Sequence, residues 1–168
     1  MRSPICILGD SITAGVVYSP ERERYIHFKD SFINMAQEKL GLDVRNNSKF
    51  GQTVGAAMRK VERFAKDISA SEHTIIMLGG NDSDFDWPSV ADSPDDFHDC
   101  NTPLADFVEG YNAFIDKVVE LGSKPIIMNL IPAYGRAYYN WICKKCDPEA
   151  IMKFLGTPES IEHWNEMY

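Results

Sequence analysis

At 168 residues, with 44% of them apolar, the chain suits one globular domain, 1–168, with a sizeable core, and nothing in its make-up suggests a disordered or fibrous protein. Its net charge of −8 argues against nucleic acid or an anionic lipid surface as partner, because both require a basic face. No run approaches the roughly 20 apolar residues of a membrane span, and "MRSPICILGDS" lacks a signal-peptide layout, so the expected location is cytoplasmic unless an export signal has already been removed.

In chain order, residues 4–9 form an apolar run that reads as a buried strand. Residues 28–41 carry Phe28, Phe32, Met35, Ala36 and Leu40 near helical spacing and end at Gly41, a suitable C-terminal stop. A weak short strand is expected over 42–48. A helix over 53–68 follows, with Thr53 as its N-cap and Val54, Ala57, Met58, Val61, Phe64 and Ala65 facing inward. Residues 73–79 form a second strongly apolar strand. Residues 103–121 form a helix with Pro103 in its first turn and Gly122 at its end. Residues 125–131 form a third strong strand, and another helix opens at Pro158. Two long stretches, 81–101 and 132–157, read as irregular, and loops of that length are usually functional or mobile.

Strands that are apolar throughout and alternate with helices predict an α/β fold, a parallel sheet covered on both faces. No repeat, low-complexity segment or linker marks a domain boundary. The four cysteines do not read as a disulfide framework, since Cys6 falls within the first strand. Cys143 and Cys146 have metal-like spacing, but a structural zinc site needs four ligands and a solvent-side loop is the default.

Three short motifs follow strands: Gly9-Asp10-Ser11-Ile12-Thr13, "NNSKFGQT" with Gly51 just before a helix, and Gly79-Gly80-Asn81-Asp82. Strand C-termini are where open α/β sheets bind ligands. Ser11 is placed to attack a carbonyl. The resulting oxyanion needs donors, and the backbone N–H groups of Ser11 and Gly51 and the side-chain amide of Asn81 can supply them. Glycine at 51 permits close approach and positive φ. Each motif also has a plain reading: Ser11 as a turn residue, Gly51 as a helix entry, Asn81-Asp82 as turn chemistry.

Taken together, the three motifs resemble the SGNH, or GDSL-type, hydrolase family: Ser11 in "GDSIT", Gly51 in "NSKFGQT" and Asn81 in "GGND". The resemblance covers essentially the whole chain. It implies a three-layer flavodoxin-like sheet in the order 2-1-3-4-5 and ester hydrolysis of the esterase, lipase or carbohydrate-deacetylase type. It implies no metal and no cofactor. It assigns Ser11 as nucleophile and Ser11, Gly51 and Asn81 as the oxyanion hole. Asp10 and Asp82, adjacent to two of these, are the expected substrate-binding residues, and the expected partner is a small-molecule ester.

Members of that family carry Asp-x-x-His after a fifth strand, with the histidine as general base. Nothing after Pro158 matches. Asp95-Asp96-Phe97-His98 is the only such tetrad and follows the third motif instead. The expectation is therefore a domain lacking its last strand and base, truncated in its C-terminal part, with residues 125–131 as an uncharged sheet margin prone to self-association. The rival reading is a catalytically inactive relative that only binds small molecules. The acidic run Asp82, Asp84, Asp86, Asp92, Asp95, Asp96 and Asp99 reads as a solvated face and lacks the glycine and terminal glutamate of an EF-hand loop. Trp87, Tyr134, Tyr138, Tyr139 and Trp141 in the long stretches either line a pocket or pack the loops down.

Overall fold

The computed structural model describes residues 4–168, which fall into two compact units: the chain up to Leu78 with Val108–Asn129, and Gly79–Phe107 with Leu130–Tyr168.

The first unit holds the parallel sheet. Strands β1 (Ile5–Gly9), β4 (Val44–Asn46), β5 (His73–Met77) and β6 (Lys124–Ile127) lie in the order β4-β1-β5-β6 and all pair in parallel. Counted as parallel strands this is 2-1-3-4, in keeping with the expected order. The central strands are largely apolar because both faces are covered: Ile7, Leu8, Ile76 and Met77 are buried, as are Val54, Ile68, Phe114 and Val118 from the surrounding helices. Each such side chain contributes roughly 1.5–3 kcal/mol of burial. The marginal strand β6 is shorter than its apolar run, and its Ile126 and Ile127 remain exposed.

The helices of this unit begin and end where local chemistry satisfies their free backbone groups. Helix α1 (Phe32–Leu40) starts later than the apolar spacing suggests, because the Ser31 hydroxyl accepts from the Asn34 N–H and caps it there. Gly41, at φ 61°, closes it. The residues before it form a hairpin that the sequence reading lacked, β2 (Val16–Ser19) against β3 (Arg24–His27), which pair antiparallel. The expected single helix over 53–68 is two, α2 (Val54–Met58) and α3 (Val61–Ser69). The Lys60 N–H reaches back only to the Ala57 carbonyl, three residues away, which tightens the turn and ends α2. Buried Val54, Ala57, Val61 and Ile68 keep helical spacing across the break, so periodicity carries no mark of it. Helix α5 (Leu104–Glu120) leads to β6, and only its first turn belongs to the second unit.

The second unit corrects the reading of 81–101 and 132–157 as irregular. It contains α4 (Trp87–Asp92), α6 (Gly135–Ile142), α7 (Pro148–Leu155) and α8 (Ser160–Met167). Trp87, Val90, Ile142, Ile151, Leu155 and Ile161 form its core. Short helices of this kind draw their stability from packing more than from propensity. Side chains of α8 serve the start of α6: Asn165 accepts from the Ala133 N–H and Glu162 from the Gly135 N–H, each at 2.9 Å. Gly135 is required by contact, since a β-carbon there would lie 2.2 Å from the Pro158 carbonyl oxygen.

Two members of the acidic run are not solvated. Asp82 is fully buried, and the Asp84 carboxylate accepts from Trp87 Nε1 at 2.8 Å and from the Tyr138 hydroxyl at 2.6 Å. Trp87 and Tyr138 thus pack this unit down, whereas Tyr134 is exposed. The four cysteines are unpaired thiols. Among the described residues, no helix is long and apolar enough to cross a membrane.

Candidate active site

Ser11 follows β1 after a single residue and lies in a tight turn. The Ala14 N–H donates to the Asp10 carbonyl, Gly15 to Ile12, and Val16 to Ser11. The Asp10 carboxylate accepts from the Ile12 N–H at 2.9 Å, an Asx turn that wraps the chain around the half-buried serine. Asp10 itself is only 2% exposed.

The loop carrying Gly51 belongs to the same unit and is tied to the serine turn by side-chain and backbone hydrogen bonds. The Gly9 carbonyl accepts both the Lys49 N–H and Gln52 Nε2, each at 3.0 Å. The Thr13 hydroxyl donates to Ser48 Oγ at 2.8 Å, and Asn46 Nδ2 donates to the Thr13 carbonyl at 2.7 Å. Thr13 is fully buried and Ser48 nearly so, where an unmade hydrogen bond is costly. The two loops are therefore braced against each other. Gly51 is exposed, at φ 66°, a left-handed conformation that disfavours other residues. The next residues enter α2, where the Thr53 hydroxyl accepts from Ala56 N–H as expected of an N-cap.

Behind this loop, Asp67 of α3 anchors β4 and its extension. Arg45 Nη1 and Asn47 Nδ2 each donate to its carboxylate at 3.0 Å. The Asn47 and Arg45 hydrogen bonds hold the Asp67 pKa below the usual aspartate value.

Asn81 and Asp82 lie in the second unit. Gly79 precedes them at φ 134°, and a β-carbon there would press on Leu130 and Phe107 at 3.1 and 3.3 Å. The segment is then zipped to residues 101–102: Asn101 Nδ2 donates to the Asn81 carbonyl, and Thr102 N–H to the Asp82 carbonyl, each at 2.9 Å.

The histidines divide between the units. His98 Nε2 is 2.9 Å from the Ser93 carbonyl and its ring packs against Phe154, so one ring nitrogen is committed to a backbone acceptor. His27, on the hairpin, has Nδ1 3.1 Å from the Ala14 carbonyl, within the turn that follows Ser11. A carbonyl only accepts, so Nδ1 carries the proton in that contact. The sequence offered a signal for this hairpin in the two short β-prone runs flanking the charged "PERE".

A family model described as GDSL-like lipase/acylhydrolase matches residues 5–158. No curated protein matches the chain by sequence. Among solved structures, the esterase EstA from Pseudoalteromonas sp., inhibited by monoethylphosphonate, aligns over 96% of this chain and 74% of its own, with TM-score 0.56 and 18% identity. A lipase/acylhydrolase from Enterococcus faecalis aligns over 99% and 73%, with TM-score 0.58 and 17% identity. The acetyl xylan esterase AlAXEase aligns over 97% and 69%, with TM-score 0.59 and 19% identity. At such identities the structural likeness concerns the fold, and it agrees with a family match that takes in all three motifs. The chain belongs to the GDSL-like lipase/acylhydrolase family of ester hydrolases.

Proposed function

We propose that this protein hydrolyses small carboxylic esters with Ser11 as nucleophile. Ser11 Oγ attacks the acyl carbon and gives up its proton to a base. The carbonyl electron pair moves onto oxygen, and the Ser11 and Gly51 N–H groups receive that oxyanion. Collapse expels the alcohol, which takes the proton. Water then attacks the acyl-serine and releases the acid. By the family pattern, the Asn81 amide is the third donor. Asp10 and Asp82 serve substrate binding through the segments they hold.

The observation that supports this reading best is the bracing of the Ser11 turn to the Gly51 loop through the Gly9 carbonyl and the Thr13–Ser48 pair. Donors aimed at an oxyanion are effective when they need no reorganisation at the moment of reaction. A solvated turn serine would gain nothing from such a frame.

The test uses a fluorophosphonate probe and a small acetate ester. Capture of the probe at Ser11, with hydrolysis lost in Ser11→Ala and reduced about 10²–10³-fold in Asn81→Ala, is the expected result. Folded protein that neither labels nor hydrolyses would favour the binding-only relative. His27→Ala and His98→Ala, assayed alongside, report whether either ring takes the proton.

A further inference from the structure

The hairpin β2–β3 places aromatic rings beside the candidate site. Tyr18 and Tyr25 are directly opposed across the strands, with ring centroids 5.5 Å apart, and Tyr25 stands 5.1 Å from Phe50. Phe50 immediately precedes Gly51. Side chains alternate along a strand, so Val16 and His27, the next pair on that hairpin face, carry it towards the turn of Ser11. There His27 meets the Ala14 carbonyl and the Val16 N–H meets the Ser11 carbonyl. The Tyr18–Tyr25–Phe50 rings thus share a hairpin face with the Val16–His27 pair that adjoins the turn of Ser11, and their Phe50 end immediately precedes Gly51.

These rings do not belong to the core. Tyr18, Tyr25 and Phe50 expose 37%, 47% and 60% of their surfaces. A cross-strand tyrosine pair can stabilise a hairpin by itself, but that leaves Phe50 unexplained, because it sits on a different loop and is the most exposed of the three. We propose that the Tyr18–Tyr25–Phe50 strip is a substrate subsite that stacks the pyranose ring of an O-acylated sugar while its ester reaches Ser11.

The chemistry of the strip favours a sugar over a fatty acyl chain. An acyl chain gains most when an apolar channel removes it from water on all sides. These rings stay half in water and suit a ligand that is itself half wet: a pyranose lays one C–H face on the rings and keeps its hydroxyls hydrated. Polar groups for those hydroxyls lie on the same hairpin, in the tyrosine phenols and in the exposed residues from Glu21 to Arg24.

This inference rests on Ser11 being the nucleophile, and the test separates the two ideas. The first measurement is saturation-transfer NMR of methyl β-xylopyranoside with the Ser11→Ala chain, which needs no turnover. Binding is expected, with weakening on the order of 5- to 10-fold in Phe50→Leu, the size of one lost ring contact, and recovery in Phe50→Tyr. The second is the ratio of kcat/KM for acetylated methyl xylopyranoside to kcat/KM for ethyl acetate, which has no ring to stack. That ratio should fall by a similar factor in Phe50→Leu, carried by KM. Sugar binding that depends on Phe50 in a chain without Ser11-dependent hydrolysis would sink the nucleophile and leave the subsite standing. Ser11-dependent hydrolysis with no Phe50-dependent binding and an unchanged ratio would overturn the subsite. So would a Phe50→Leu loss confined to long-chain acyl esters.

Discussion

Gly9 ends β1 two residues before Ser11, and its environment permits a quantitative test. A β-carbon at this position would lie 2.2 Å from Thr13 Oγ1 and 2.9 Å from the Met77 carbonyl oxygen. The first neighbour is a side chain and the second is backbone of the adjacent strand. Gly9→Ala should therefore cost about 2–3 kcal/mol as overpacking in a fully packed site. Thr13→Ala removes a buried methyl and the bond to Ser48 Oγ, about 2–3 kcal/mol in all. If the two acted independently, the double variant would lose roughly 4–6 kcal/mol. It should lose only about 3–4 kcal/mol, because deleting the Thr13 hydroxyl removes the clash that dominates Gly9→Ala and leaves the Met77 contact and a milder one with the β-carbon of residue 13 at 3.3 Å. Urea unfolding of the four chains measures this, read from midpoints at an unchanged denaturant slope. Additivity within about 0.5 kcal/mol would refute the claim that Thr13 is what excludes a side chain at position 9.

Other expectations concern charge and the second unit. The folded-state pKa of Asp67 is lowered by Asn47 and Arg45, so its contribution is fully present above the unfolded value of about 3.9 and is lost as pH falls through the lowered folded value. Asp67→Asn should then be less stable than the parent at pH 7 and converge with it in urea midpoints near pH 2; a pH-independent deficit would contradict this. In the second unit, Asp84→Ala removes the acceptor that serves both the Trp87 indole and the Tyr138 hydroxyl and should cost about 2–3 kcal/mol in thermal unfolding, whereas Tyr138→Phe should cost about 1 kcal/mol. Equal losses would mean that the Trp87 bond contributes nothing.

The sequence alone determined the parallel α/β frame and the placement of all three motifs. Apolar runs such as "ICIL" and "TIIML" call for burial on both faces, and their alternation with helical segments points to a helix-covered parallel sheet. The caps at Thr53, Gly41 and Gly122 were legible too, because capping is chemistry between near neighbours in the chain. Where several residues each supply a little, sequence reading failed. The hairpin has strands of four residues, the helices of the second unit have six to eight, and segments that short hold their shape only when something packs on them. Asp84 looked like one more solvated carboxylate until folding brought Tyr138 to it from 54 residues away. The bracing of the Ser11 turn, through Thr13 and Ser48 35 residues apart, and the meeting of Tyr25 with Phe50 likewise had no local signature. Hydrogen bonds and ring contacts between distant residues depend on distance in space, and only the tertiary structure sets that distance.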